Sequence, residues 1–239
     1  MNMEYIKYKK VSSTMDIAEE KIKQGIYENT VIIADEQTNG VGTKQRKFIS
    51  PKNGIYFTII PKRILKYQNS LISTLIGAVA VVKSIEEMYS KRLYIKWIND
   101  IYMDDYKVGG ILTRSIVDSN RNNQIYVGIG LNISENREFD LINDNKVTGI
   151  FDRIVTRNER YSLIYKIVDK YIKLYENIDK ELIEKEYNKY LYYKNKHVMV
   201  NINNEYFVNG VICGVDVERG IIIDIQGEIR FFKEVKIKY

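Results

Sequence analysis

Two glycine-bearing, strand-like runs constrain this chain more than any other feature. Lys107-Val-Gly-Gly-Ile-Leu112 starts one strand. Gln124-Ile-Tyr-Val-Gly-Ile-Gly-Leu-Asn-Ile133 reads as its partner, with the connecting turn expected near Asp118–Asn123. Glycine is poor strand material, so the Gly109-Gly110 pair implies that something packs flat against the backbone there. Gly128 and Gly130 alternate, which strips the side chains from one face of the second strand. The pattern predicts a trough for a flat ligand, with Asn132 at its end. An amide there carries the paired donor and acceptor that can read an adenine edge.

The rest of the pattern frames this hairpin. Ser12-Ser13-Thr14 caps a helix over Met15–Gln24, closed by Gly25. Val31–Ala34, Gly54–Ile60 and Leu93–Trp97 read as strands, 37–50 as a polar loop, and 70–90 as a buried helix with small residues on it. Asp104-Asp105 marks a turn, 134–158 is mostly loop, and 160–190 reads as two helices. From Val198 onward short strands are broken at Asn203-Asn204, Glu218-Arg-Gly220 and Gln226-Gly227. The expected fold is α+β: a mixed β-sheet with helices on one face over residues 1–193, then a small β-barrel over 194–239.

Composition removes several function classes. With one cysteine, Cys213, and one histidine, His197, neither an intrachain disulfide nor a Cys/His zinc site can form. A nucleophile–histidine pair would depend on His197, which opens a strand-like run and reads as structural or surface. No apolar run approaches the roughly 20 residues needed to cross a bilayer, and no cleavable leader is visible, so the reading is cytosolic with no membrane partner. The net charge of +6 is spread along a chain rich in Ile, Lys, Asn and Tyr, with no block of five basic residues. A nucleic-acid-binding reading therefore stays a rival, testable by its salt dependence.

Two further segments carry chemistry. In Asp35-Glu-Gln-Thr-Asn-Gly-Val-Gly-Thr-Lys-Gln-Arg-Lys-Phe48, Gly40 and Gly42 allow close backbone approach to a ligand, and Lys44, Arg46 and Lys47 can neutralise phosphates. The same residues also suit a solvated hairpin loop, and the spacing is neither G-x-G-x-x-G nor a Walker loop. In Lys96-Trp-Ile-Asn-Asp100, the tryptophan suits core or site, and Asn99-Asp100 suits a turn or a site.

Taken in order, the helix-opening Ser13-Thr14, the Gln37-x-x-Gly-x-Gly loop, Lys96-Trp-x-Asn-Asp100, Lys107-x-Gly-Gly-Ile-Leu112 and Gly128-x-Gly-x-Asn132 resemble the biotin protein ligases. The resemblance runs from about Ser12 to Ile133, and the C-terminal segment has the family's shape. It implies a class II synthetase-like catalytic unit with an SH3-like barrel. The activity it implies is ATP-dependent: biotin and ATP, with Mg²⁺, give biotinyl-5′-AMP. Biotin then passes to a lysine of a biotin carboxyl carrier protein of acetyl-CoA carboxylase or another biotin-dependent carboxylase.

By the same resemblance, Ser13, Thr14 and Gln37 hold the biotin ureido ring. Gly40, the backbone at Gly109, Gly110 and Ile111, and Gly128 and Gly130 line the biotin slot. Asn99, Asn132, Arg46 and Phe48 serve ATP, and Phe48 stands where the family usually has Trp. Lys107 sits between the biotin carboxylate and the α-phosphate. Asp100 either takes the proton of the acceptor lysine or only fixes its turn. No protein ligand for a metal is implied, and a homodimer is left open.

The sequence departs from the family pattern at Val41 and Thr43, where arginines are usual, and at Ile98, where proline is usual. About a dozen residues precede Ser13, too few for the DNA-binding domain of the family's repressors, so no specific DNA partner is expected. The nearest rival function is lipoate or octanoate transfer by an enzyme of the same superfamily.

Overall fold

The computed structural model describes residues 3–25, 29–62, 70–117, 123–136, 139, 146–202 and 205–238. Residues 118–122 of the turn expected near Asp118–Asn123, and the break at Asn203-Asn204, lie outside them.

Strand β1 (Glu4–Tyr8) leads into helix α1 (Thr14–Lys23). The Ser13 hydroxyl oxygen accepts from the Met15 N–H at 3.2 Å, and Gly25 follows the helix at a φ of +81° that L-residues rarely adopt. Strands β2 (Thr30–Ala34) and β3 (Ile55–Ile60) are buried at every position. Helix α2 (Ser70–Tyr89) is buried nearly all round, as a helix without a polar face must be. Strands β4 (Tyr94–Lys96), β5 (Asp100–Met103), β6 (Tyr106–Val117) and β7 (Asn123–Leu131) complete a sheet of order β1-β2-β3-β7-β6-β5-β4. Only β1–β2 is parallel.

Helix α3 (Arg157–Glu176) and α2 cover one face of this sheet, over Val31, Ile33, Phe57, Ile59 and Val127. The expectation of helices on one face needs correction at α1. Its buried stripe of Met15, Ala18 and Ile22 packs with Ile32, Ile60 and Tyr126 on the opposite face. The cause is in the strands: residues alternate between faces, and β2 and β3 are apolar on both, so both faces must be covered. The expected strand list also lacked β1 and β5. β1 is an edge strand paired only with β2, and β5 is four residues long.

Helix α4 (Lys180–Tyr190) leads to the C-terminal segment: β8 (His197–Ile202), β9 (Tyr206–Asp216), β10 (Gly220–Ile225), β11 (Glu228–Phe232) and β12 (Ile237–Lys238). These strands form an antiparallel sheet of order β11-β10-β9-β8-β12. The chain turns between the two parts at Tyr193 and Asn195, both at positive φ. The core is continuous across the join, with Ile167 and Tyr187 in one buried cluster with Val200 and Ile212. Asn188 clamps the Val215 backbone from both sides, donating to its carbonyl at 3.1 Å and accepting from its N–H at 2.9 Å. His197 is exposed at the start of β8.

Candidate functional site

One pocket collects the sequence motifs. It encloses about 510 Å³, part of it open to solvent, between the N-terminus of α1, the 37–48 loop and the α1 face of β6–β7. Its floor follows from strand register. Gly110 lies opposite Gly130, and Leu112 opposite Gly128, so these positions share one face of the sheet. A Cβ on Gly130 would lie 2.6 Å from the Phe48 ring, and one on Gly128 would lie 2.5 Å from the Met15 sulfur. The missing side chains are thus what lets Phe48 and Met15 close down on the trough.

Gly109 belongs to the other face. A Cβ there would meet Leu131 at 2.5 Å, and the residue does not line the pocket. Ile111 is 1% exposed and points at α2, where a Cβ on Gly77 would meet its methyl at 3.2 Å. It borders the pocket with its backbone.

At the inner end, Ser13, Thr14 and Gln37 converge. The Gln37 side-chain oxygen accepts from the Thr14 N–H at 2.8 Å and from the Thr14 hydroxyl at 3.1 Å, while its NH₂ donates to Ser50 at 2.9 Å. Thr58 donates to the Thr14 hydroxyl oxygen at 2.9 Å. Four of these residues (Ser13, Thr14, Ser50 and Thr58) are nearly or fully buried, so the end of the trough is a fixed polar cluster in an apolar wall.

At the mouth, the Lys107 ammonium pairs with Asp100 at 2.5 Å. Asn99 borders the pocket while bridging to the Ile111 backbone: its side chain donates to the Ile111 carbonyl, and its own carbonyl accepts the Ile111 N–H, both at 2.8 Å. Lys96, on the neighbouring strand, lies over the Tyr102 ring at 4.9 Å. Burial pulls its pKa below the usual lysine value; Asp100 opposes that pull and Lys107 adds to it. Burial, aided by Asp100, pushes the Tyr102 hydroxyl up to about 12.

Besides Gly109, three expected site residues sit elsewhere. Gly40 is buried behind the loop: a Cβ there would meet the Phe48 carbonyl and the Ser50 hydroxyl at 2.5 Å. Its smallness lets the loop close on itself, with the Phe48 N–H donating to the Gly40 carbonyl at 2.8 Å, and it does not bring backbone to a ligand. Arg46 is exposed after the short helical turn Thr43–Gln45, with Lys44 and Lys47 beside it. Asn132 lies just past β7 and is 3% exposed. Its backbone pairs with Val108 and Ile150, and its side-chain oxygen is buried with no hydrogen-bond partner among the described residues.

The sequence reading missed Met15, Leu112 and Ile129 as wall residues. Register alone would have found Leu112, since it stands two residues from Gly110 on the same face. Val41 and Thr43, noted only as departures, also line the pocket.

A model of the biotin/lipoate A/B protein ligase family matches residues 8–132. The bifunctional ligase/repressor BirA of Bacillus subtilis is 35% identical over 136 residues, covering 56% of this chain and 42% of that protein. Biotin–protein ligase 2 of Arabidopsis thaliana is 25% identical over 213 residues, covering 84% of this chain and 63% of that one. This chain thus spans less than two thirds of the length of either relative. The solved structure of biotin protein ligase from Aquifex aeolicus in complex with biotin and ATP superposes with a TM-score of 0.80 at 24% identity, covering 98% of each chain, and so shares the fold.

Proposed function

The chain belongs to the biotin/lipoate A/B protein ligase family, and from that premise we propose that it is an ATP-dependent biotin protein ligase. It joins biotin to AMP and passes the biotinyl group to a lysine of a carrier protein. The observation that carries this reading is the floor of the pocket: one face of β6–β7 without side chains at Gly110, Gly128 and Gly130, ending in the Ser13–Thr14–Gln37 cluster and opening at Lys107. A flat ureido ring fits against the glycine floor. A urea needs donors and acceptors at one end, and a carboxylate needs a cation at the other.

Each residue then has a task. The polar cluster orients the ureido ring, since buried polar groups recognise partners by the cost of leaving them unpaired. Lys107 supplies positive charge where the biotin carboxylate meets the α-phosphate, two anions that otherwise repel. To do so it must leave Asp100, its partner here. Asp100, once released, stands at the mouth as an acceptor for the proton of the incoming lysine, whose amine is otherwise mostly protonated. The orphaned Asn132 oxygen suits the exocyclic amine of adenine. Lys44, Arg46 and Lys47 on the exposed loop face the phosphates. Mg²⁺ enters as part of the nucleotide substrate; among the described residues, no group of three or more His, Cys, Asp or Glu could hold a metal ion.

The test is pyrophosphate release from ATP with no carrier protein present. Release that requires biotin is expected. Release with lipoate, together with a thermal shift by lipoate and none by biotin, would assign the chain to the lipoate side of the family.

A further inference from the structure

The register places Lys96 in line with the trough. Lys96 lies opposite Asp100, Asp100 opposite Gly110, and Gly110 opposite Gly130. Directly opposite residues share a face, so the four positions make one row from the sheet edge to the pocket floor. At the outer end, the Lys96 ammonium rests on the Tyr102 ring, and Tyr102 lies against Tyr192 at 5.3 Å between ring centres. In the middle, Asp100 holds Lys107 at 2.5 Å. A Cβ on Gly110 would lie 3.6 Å from the Asp100 oxygen and 3.9 Å from Lys107 Cε, so the pair sits directly above the glycine row. The row therefore carries two ammonium groups and one carboxylate.

That count matters because Lys107 cannot serve two anions at full strength. If Asp100 had no other cation, drawing Lys107 to a ligand carboxylate or phosphate would leave Asp100 uncompensated beside those same anions. A second cation held on an aromatic face removes that penalty without reaching into the pocket. We infer that Lys96 is a positioning residue: it shares Asp100 with Lys107 and takes over that carboxylate when Lys107 turns to the anionic groups of the ligand. The identity of the ligand rests on the ligase reading; the charge sharing does not.

Two measurements test it, using the full chain. The first needs no ligand. Acetylation of Lys107 by acetic anhydride is followed by peptide mass spectrometry from neutral to alkaline pH. The groups facing Lys107 and Lys96 in this row are Asp100 and Tyr102, and Tyr102 stays neutral across most of that range. Lys96→Met removes a like charge, so the Lys107 labelling profile is expected to move to higher pH, while Lys96→Arg leaves it in place. The second is the biotin dissociation constant. Lys96→Met is expected to weaken binding roughly 5- to 10-fold, Lys96→Arg by no more than about two-fold, and Lys96→Met in an Asp100→Asn background to add almost nothing.

An unshifted labelling profile overturns the inference. So does a binding loss that persists in the Asp100→Asn background or that Lys96→Arg does not rescue, since simple packing would behave that way. If Lys96→Met does not fold, Lys96→Gln takes its place in every comparison. If the wild-type protein ignores biotin, the ligase reading has failed, and the labelling profile alone decides this point.

Discussion

Gly110, Gly128 and Gly130 sit in a hydrogen-bonded ladder between two long strands. Lys44, Arg46 and Lys47 sit on an exposed loop whose backbone passes through positive φ at Lys44 and Gln45. The floor of the pocket thus has its shape before any ligand arrives. The rim carries charge that a ligand must gather, at the entropic cost of ordering long side chains. On the proposed ligase reading, the difference teaches where discrimination and retention belong: ligand shape is read at the floor, and the reactive intermediate is kept by the rim.

The sharpest way to break that division is at Lys107, which stands on the floor strand β6 yet carries charge. Lys107→Ala is expected to leave the fold intact and to slow biotin-dependent pyrophosphate release roughly 10²- to 10³-fold, as loss of a donor to developing charge does. Near-normal release would take Lys107 out of the chemistry.

The floor itself comes next. Gly130→Val would fill the trough and push Phe48 aside, since even its Cβ meets the ring at 2.6 Å. Over-packing a core costs about 1–3 kcal/mol, and a similar penalty on the bound ligand would weaken biotin affinity about 5- to 150-fold. A calorimetric titration that finds unchanged affinity would show that the ligand does not lie on the glycine row.

The rim is expected to give a smaller effect. Val41 and Thr43 line the pocket where the biotin ligase pattern carries arginines. Restoring one charge with Thr43→Arg is expected to slow escape of preformed adenylate into a trap by about tenfold, close to the low end of the 1.5–3 kcal/mol typical of a hydrogen bond to a charged group. No change would mean that Lys44 or Arg46 already supplies the charge.

The smallest effect should fall away from both regions. Thr156 caps α3, and Glu159 returns the bond to close a capping box. Thr156→Ala is expected to cost about 1 kcal/mol by denaturant melt and to leave biotin affinity unchanged. Arg153 and Thr156 hold the Glu159 carboxyl down at about 2. The stabilisation from that carboxylate is therefore present above the ordinary carboxylate range and is lost as pH falls towards 2.

Much of this site was legible in the residues because glycine spacing and strand period are local facts. Gly110, Gly128 and Gly130 share a face because residues two apart in a strand do, and Ser13 caps α1 because its hydroxyl is two residues from the N–H it serves. What was missed depends on contacts far apart in sequence. Gly40 is small for the sake of Phe48 and Ser50, which only the folded loop brings behind it. The position of α1 on the far face follows from which strand neighbours which, and an edge strand such as β1 gives few sequence signals. Lys96 reads as part of a motif, but its place in the row with Asp100 and Gly110 appears only in the register.

The account stands most directly on transfer. The measurement is the intact mass of a biotin carrier domain incubated with this protein, biotin and Mg-ATP. It predicts a gain of one biotinyl group on a single lysine, dependent on ATP and lost in Lys107→Ala. A carrier domain that keeps its mass with biotin but gains a lipoyl group under the same conditions would contradict it.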